Sequence, residues 1–206
     1  MAILPSKFLS LRECSFDSID ETYINNDKSY TRVTAKKVFA QVFDLDLVTT
    51  RFDMPLAFEL LSWLIDNASG THGTFQVANP FNSLLLPYET NAISTRSAIS
   101  QHAKSVPADG FTPMLGSALR PGSFFNFGDH PKVYMVTNAP NANALGQSTI
   151  NFTPGVYQDV PADTPINYGA NCLFQVSSKA DVQSLTASVS SNLRTSITIP
   201  VRERGN

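Results

Sequence analysis

Asp44 and Asp46 stand two residues apart in a stretch whose alternate positions, Phe43, Leu45 and Leu47, are apolar. In a strand that spacing puts both carboxylates on one face, about 7 Å apart at Cα, a separation that could serve a glycosidase acid pair. The solvated face of a half-buried strand accounts for the two acids at least as well. Asp129-His130 offers an acid beside an imidazole. Neighbours along an extended chain point in opposite directions, and Pro131 restricts His130 to extended geometry, so His130 reads as a turn residue capping backbone groups. Neither His72, His102 nor His130 has a second His or Cys at metal-ligand spacing, and no metal site is expected. Ser, His and Asp all occur, but there is no Gly-x-Ser-x-Gly elbow. No phosphate-binding loop or dinucleotide fingerprint is present; Gly110, Gly116, Gly122 and Gly128 are isolated turn glycines. Phe124, Phe125 and Phe127 could stack on bases or sugars. With only Arg120 and Lys132 near them, they read as core residues flanking a turn. No catalytic residue, cofactor or metal is assigned, the ligand-binding residues are left unknown, and the protein is not expected to be an enzyme.

The elements that would carry these residues are mostly strands. Residues 1–35 are weakly patterned, with turn material at Asn25-Asn26-Asp27-Lys28. The clearest strand covers 38–52, alternating apolar and polar as one packed and one wet face require. One helix is predicted over 55–67, with Asp53 as N-cap, Pro55 in the first turn and Gly70 beyond the C-terminus. Ala57, Leu60, Leu61 and Leu64, joined by Phe58 and Ile65, form its apolar stripe, and Trp63 reads as core. A short strand at 71–77 stops at Asn79-Pro80. From residue 84 onward, alternating runs at 98–104, 123–127, 132–137, 149–153 and 164–168 are divided by Pro and Gly, the rhythm of a small sandwich or barrel. Strands at 172–176 and 196–201 follow, with Pro200 marking an edge or a strand end. The Ser-rich stretch 177–191 between them reads as a loop.

Composition agrees with a β-rich chain. Among 206 residues only 16% are charged, whereas Ser plus Thr number 39, Asn 15, Pro 13 and Phe 14. That mix favours strands and turns and excludes disorder, coiled coil and collagen as descriptions of the whole. The net charge of −2 argues against a dedicated nucleic-acid binder. Divided along the chain, residues 1–83 carry 7 basic and 10 acidic groups, 84–170 carry 4 and 5, and 171–206 carry 4 and 2. No stretch could neutralise a phosphate backbone over any length. Cys14 and Cys172 read as reduced thiols. Pro5, Ser6 and Lys7 interrupt any signal-peptide core, and no run approaches a membrane span, so the chain reads as soluble and folded inside a cell.

Two segments carry a resemblance. Phe43 through Pro80 has the order strand, Met-Pro-initiated helix, Gly73-Thr74-Phe75-Gln76-Val77, then Asn79-Pro80. The second is Phe127-Gly128-Asp129-His130-Pro131-Lys132-Val133-Tyr134-Met135-Val136-Thr137-Asn138, with Ile150-Asn151-Phe152-Thr153-Pro154-Gly155 and Ile197-Thr198-Ile199-Pro200-Val201-Arg202-Glu203 following in order. Over roughly 38–203 the chain resembles the distal tail proteins of long-tailed, non-contractile bacteriophages (siphophages). The resemblance implies a mainly β fold: an N-terminal β-sandwich with one packed helix, completed by C-terminal strands, and an inserted barrel of the oligonucleotide/oligosaccharide-binding (OB) type. The sandwich would comprise 1–83 plus 171–206 and the barrel 84–170. It further implies a virion structural protein of the tail tip, assembled in the bacterial cytoplasm. Copies would close into a ring, most simply a homohexamer, joining the tail tube protein to the hub and fibre proteins. Neither sequence-specific nucleic-acid binding nor membrane insertion is expected. An uncharged Ser/Thr/Asn-rich surface would suit a lumen through which DNA slides. The competing expectations are a carbohydrate-binding module for host-surface attachment, resting on the barrel and its Phe and Tyr residues, and a hydrolase using Asp44 with Asp46, or His130 with Asp129.

Overall fold

The computed structural model describes residues 1–8, 15–26, 32–49, 54–68, 73–81, 88–128, 130–179 and 198–203, over 15–26 and 32–42 by backbone alone. The fold is mainly β, with one α-helix among the described residues. Strands β1 (Ser15–Asn26), β2 (Arg32–Val48), β3 (Thr74–Ala78), β10 (Leu173–Ser178) and β11 (Thr198–Glu203) form a five-stranded sheet in the order β1-β2-β11-β10-β3. All its neighbours are antiparallel. Between β3 and β10 the chain builds a closed antiparallel barrel from β4 (Ile93–Thr95), β5 (Ser105–Asp109), β6 (Phe124–Phe127), β7 (Tyr134–Val136), β8 (Gln147–Thr153) and β9 (Pro165–Tyr168), in the order β4-β5-β8-β7-β6-β9. Closure leaves this small sheet no unpaired edge. Because β3 and β10 are paired neighbours, with Ala78 opposite Leu173, the barrel leaves and rejoins the sheet at one place.

Phe43, Leu45 and Leu47 are buried and Asp46 is exposed, as period two requires, but Asp44, expected on the wet face, is covered as well. Phe75, Val77, Phe174, Val176, Ile199 and Val201 join them in the sheet's apolar core. Helix α1 (Met54–Ala68) lays Ala57, Leu60 and Leu64 into that core. Burying Leu60, Leu61 and Leu64 contributes on the order of 5 kcal/mol at ~1.5–3 each. Phe58 and Ile65 do not belong to the stripe, being 59% and 51% exposed. Each lies one residue, about 100° of helix, past a buried position. Trp63 packs edge-on against Phe75 at 5.5 Å.

Several boundaries differ from expectation. A strand, β1, emerges where residues 1–35 are weakly patterned, and its pairing carries β2 back to Arg32. The run at 98–104 is not a strand; Ile99 makes one bridge to Val160, and the strand lies at β5, through Pro107. Pro200 sits in a central strand, between β2 and β10, not at an edge. Its carbonyl accepts from Lys179 N, one residue past the end of β10, so the missing N–H falls where that ladder is already ending. Ser177 and Ser178 belong to β10. Cys14, Asp53, Gly70, His72, Asp129 and residues 180–191 lie outside the described residues.

β6 and β7 are two-faced. Phe125, Phe127, Tyr134 and Val136 point into the barrel, with Phe152 and Ile150. Phe124, Val133 and Met135 pack instead into the core of the sheet. Phe124 meets Phe43 at 5.5 Å and Phe174 at 5.3 Å, both edge-on. Beside them Lys132 Nζ lies 2.5 Å from Glu203 Oε2, with the side chains 3% and 0% exposed. Glu203 also accepts from Val133 N at 2.8 Å and Phe43 N at 3.2 Å. Burial pushes its carboxyl up, with Lys132 and the two N–H groups pulling the other way.

Candidate functional site

Several side chains singled out from the sequence are engaged in contacts within the fold. Asp44 is held by Arg202 (Nε 2.7 Å, Nη2 3.0 Å) and by Lys179 Nζ at 2.7 Å. Arg202's hydrogen bonds and Lys179, against the opposing effect of burial, hold the Asp44 carboxyl below the ordinary carboxylate range. Phe124, Phe125 and Phe127 are core residues, as above, and offer no stacking platform. His102 is exposed, at φ 74°, its N–H donating to Val156 O. His130 closes a turn, donating its N–H to Phe127 O at 2.8 Å, and its Nε2 lies 3.0 Å from Gln158 Nε2. The imidazole nitrogen is then the acceptor of that pair, because an amide nitrogen only donates. Among the described residues no group of three or more His, Cys, Asp or Glu could hold a metal ion. No described helix is long and apolar enough to cross a membrane.

Among the described residues, two cavities share a wall. The larger is an open groove of about 520 Å³ along β4 and β9, bounded by residues 89–93 on one side and 165–171 on the other. Glu89 braces its rim. The carboxylate, nearly inaccessible to solvent, accepts from Thr90 N, Asn91 N, Thr112 N and Thr112 Oγ1. Burial pushes this acid up, but the N–H groups of Asn91, Thr112 and Thr90 outweigh it, so Glu89 stays ionised below its ordinary value. Tyr168 ties the two sides together, its hydroxyl donating to Asn91 O at 2.5 Å. Burial, with the Glu89 charge, pushes this phenol up to about 12, so it remains a donor at neutral pH.

The smaller cavity, about 190 Å³, lies where the ends of β3 and β10 meet the turn after β6. Carboxamides dominate its lining: Gln76, Asn126, Asn167, Asn171 and Gln175, with His130. Strand register fixes four of them. Gln76 opposes Gln175 across β3 and β10, and Asn126 opposes Asn167 across β6 and β9. Asn167 Nδ2 donates to Gly128 O at 2.9 Å, and Asn126 Nδ2 reaches His130 O at 3.4 Å. Asn167 and Asn171 border both cavities, so the two form one hydrogen-bonding cleft whose only acid among the described lining residues is the saturated Glu89.

These carboxamides were not singled out from the sequence, where Asn and Gln count as turn and surface residues. A signal did exist. Phe-Gln-Val occurs twice, at Phe75-Gln76-Val77 and Phe174-Gln175-Val176, and an Asn is set between apolar neighbours at Phe125-Asn126-Phe127 and Ile166-Asn167-Tyr168. An amide between residues that strand alternation sends inward stands on the opposite face.

No family model matches the sequence, and no curated protein matches it.

Proposed function

We propose that this chain is a structural component of a phage virion tail tip, of the distal tail class, forming a homomeric ring that joins the tail tube to hub and fibre proteins. The observation that carries the reading is the interleaved topology. A helix-backed sheet is interrupted after β3 by a small closed barrel and completed by β10 and β11. The resemblance implies the same interruption and return, with a β-sandwich where the described residues form a single helix-backed sheet, and the order of its motifs along the chain agrees with it. A ring subunit works through matched surfaces that repeat about an axis until they close. The ion pairs at Asp44 and Glu203 and the saturated Glu89 fit such a role, since each fixes one part of the chain against another. Electron microscopy of the purified protein, and of phage tails decorated with an antibody against it, tests the reading. Rings, and label at the tail tip, are expected; label absent from the tip overturns it. A monomer in dilute solution is compatible with a ring that neighbouring tail proteins template, so the position of the label decides.

A second reading, a carbohydrate-binding module for host attachment, is favoured by one observation. The cleft along β9 is rich in carboxamides and its one acid is already satisfied.

A further inference from the structure

We propose that the carboxamide cavity between β10 and the turn after β6 binds one neutral pyranose unit, with the adjoining groove along β4 and β9 taking the next unit of the same glycan. This assignment rests on the carbohydrate-binding reading and is independent of the ring.

Size comes first. About 190 Å³ holds about six waters at ~30 Å³ each, the scale of one sugar ring rather than of a nucleotide or a peptide segment. Chemistry comes second. A carboxamide presents an accepting oxygen and two donating hydrogens, and a vicinal diol presents both functions as well, so each amide can pair with a diol in both directions. Five amides and one imidazole line the cavity, with no carboxylate, lysine or arginine among the described lining residues. A carboxylate or phosphate ligand would enter with no countercharge to offset its desolvation. A neutral polyol meets no such penalty.

Preorganisation is the third ground. Gln76 with Gln175, and Asn126 with Asn167, are cross-strand partners in two different sheets, so backbone ladders hold the four amides before any ligand arrives. Asn126 is 5% exposed, and its Oδ1 has no hydrogen-bond donor among the described residues. Buried amide oxygens are rarely left so. The groove continues the site: Asn167 and Asn171 pass from one cavity to the other, and Thr90 and Asn91 supply further polar groups along it.

The test is a titration of the full-length ¹⁵N-labelled protein, following its side-chain amide resonances. The probes are maltotriose, galactose and triacetylchitotriose, with sialyllactose as an anionic sugar and a capped tetraglycine as a neutral amide. For at least one neutral sugar, the resonances of Gln76, Asn126, Asn167, Asn171 and Gln175 should shift saturably, with a Kd of about 1 mM. Gln175→Ala and Asn171→Ala, which remove partly or fully exposed side chains, should each weaken that binding about tenfold while the backbone spectrum keeps its dispersion. A neutral sugar that binds while these amides stay still, or that binds both variants as tightly as wild type, overturns the cavity assignment and leaves the carbohydrate reading standing. No shift with any sugar up to about 20 mM overturns both. Stronger shifts with sialyllactose, or equal ones with tetraglycine, overturn the neutral-sugar assignment.

Discussion

Lys132→Met breaks the buried joint between barrel and sheet, and its cost follows from the geometry. The ammonium lies 2.5 Å from Glu203 Oε2, with both side chains almost wholly removed from water, so no solvent replaces the lost cation. Removing one member of such a pair costs about 3–5 kcal/mol. Val133 N and Phe43 N still donate to the carboxylate, which places the expectation near the lower bound, about 3 kcal/mol at pH 7. The pH dependence has a definite sign. Burial already raises the folded Glu203 above the ordinary carboxylate range, and without Lys132 it rises further. A group whose folded pKa is raised contributes stability that is full below the unfolded pKa and lost as pH climbs through the folded one. The variant should therefore recover stability as pH falls from 7 toward 5, where the raised carboxyl takes up its proton in the folded state before the unfolded one does. Adding Glu203→Gln should restore at least half the loss, because the amide removes the buried charge and keeps an oxygen for Val133 N–H. Urea unfolding at pH 5, 6 and 7, read by the fluorescence of Trp63, the sole tryptophan, compares both variants with wild type. A cost below about 1 kcal/mol at pH 7, a cost that grows toward pH 5, or a double variant no better than the single would refute the reasoning.

Phe124→Ala should cost about 3–5 kcal/mol, because the ring fills space against Phe43, Phe174 and Phe81 at once. Calorimetry should show the whole unfolding transition lowered; a loss confined to a minor part of the heat would contradict a shared core. Gly110→Ala should lower stability by more than about 1 kcal/mol, since at φ +94° its Cβ would stand 2.3 Å from Ala92 O. A thermal-melt midpoint equal to wild type would disprove that close approach. Cys172 is fully buried, and burial, helped by the Glu203 charge, pushes its thiol up. It should resist a disulfide reagent at pH 8 in the native protein and react in guanidinium, with peptide mapping separating it from Cys14. Labelling of native Cys172 as fast as in the denatured chain would be the failing result.

The parts legible in the sequence are those with local causes. Phe43, Leu45 and Leu47 alternate because one face of β2 is packed, and Pro and Gly punctuate the barrel because each short strand must turn. The run expected at 98–104 stops short of β5, whose Pro107 lies opposite Thr149 with its carbonyl accepting from Arg96 N. Pro200 misled, since only the tertiary register reveals that β10 ends beside it. Phe58 and Ile65 look like core by composition, and only the rotation of the helix puts them outside. The joint was beyond reach for a different reason. Lys132 and Glu203 stand 71 residues apart, and neither has a local pattern that marks it as buried. The amide cavity is hidden likewise, because Gln76 meets Gln175 only once the barrel between them has closed.

The two-faced strands connect the joint to the cleft. β6 turns Phe125 and Phe127 into the barrel and Phe124 into the sheet's core, while Asn126, between them, lines the cavity where the two bodies meet. A barrel tethered only by its two chain crossings would swing, and a cavity built from both bodies would open and close with it. Here Phe124, Val133 and the Lys132–Glu203 pair bury the contact, so swinging would expose aromatic surface and separate a buried ion pair. The amides on β3 and β10 are thereby held at a fixed distance from those on β6 and β9. Stability and recognition are coupled as a consequence: loosening the joint with Lys132→Met should blur the cavity even though Lys132 does not line it. If neutral-sugar binding exists, that variant should weaken it through lost preorganisation, most at pH 7 and less at pH 5, in step with its stability. Sugar affinity in Lys132→Met unchanged at pH 7, despite the lost stability, would show that the cavity does not depend on the joint.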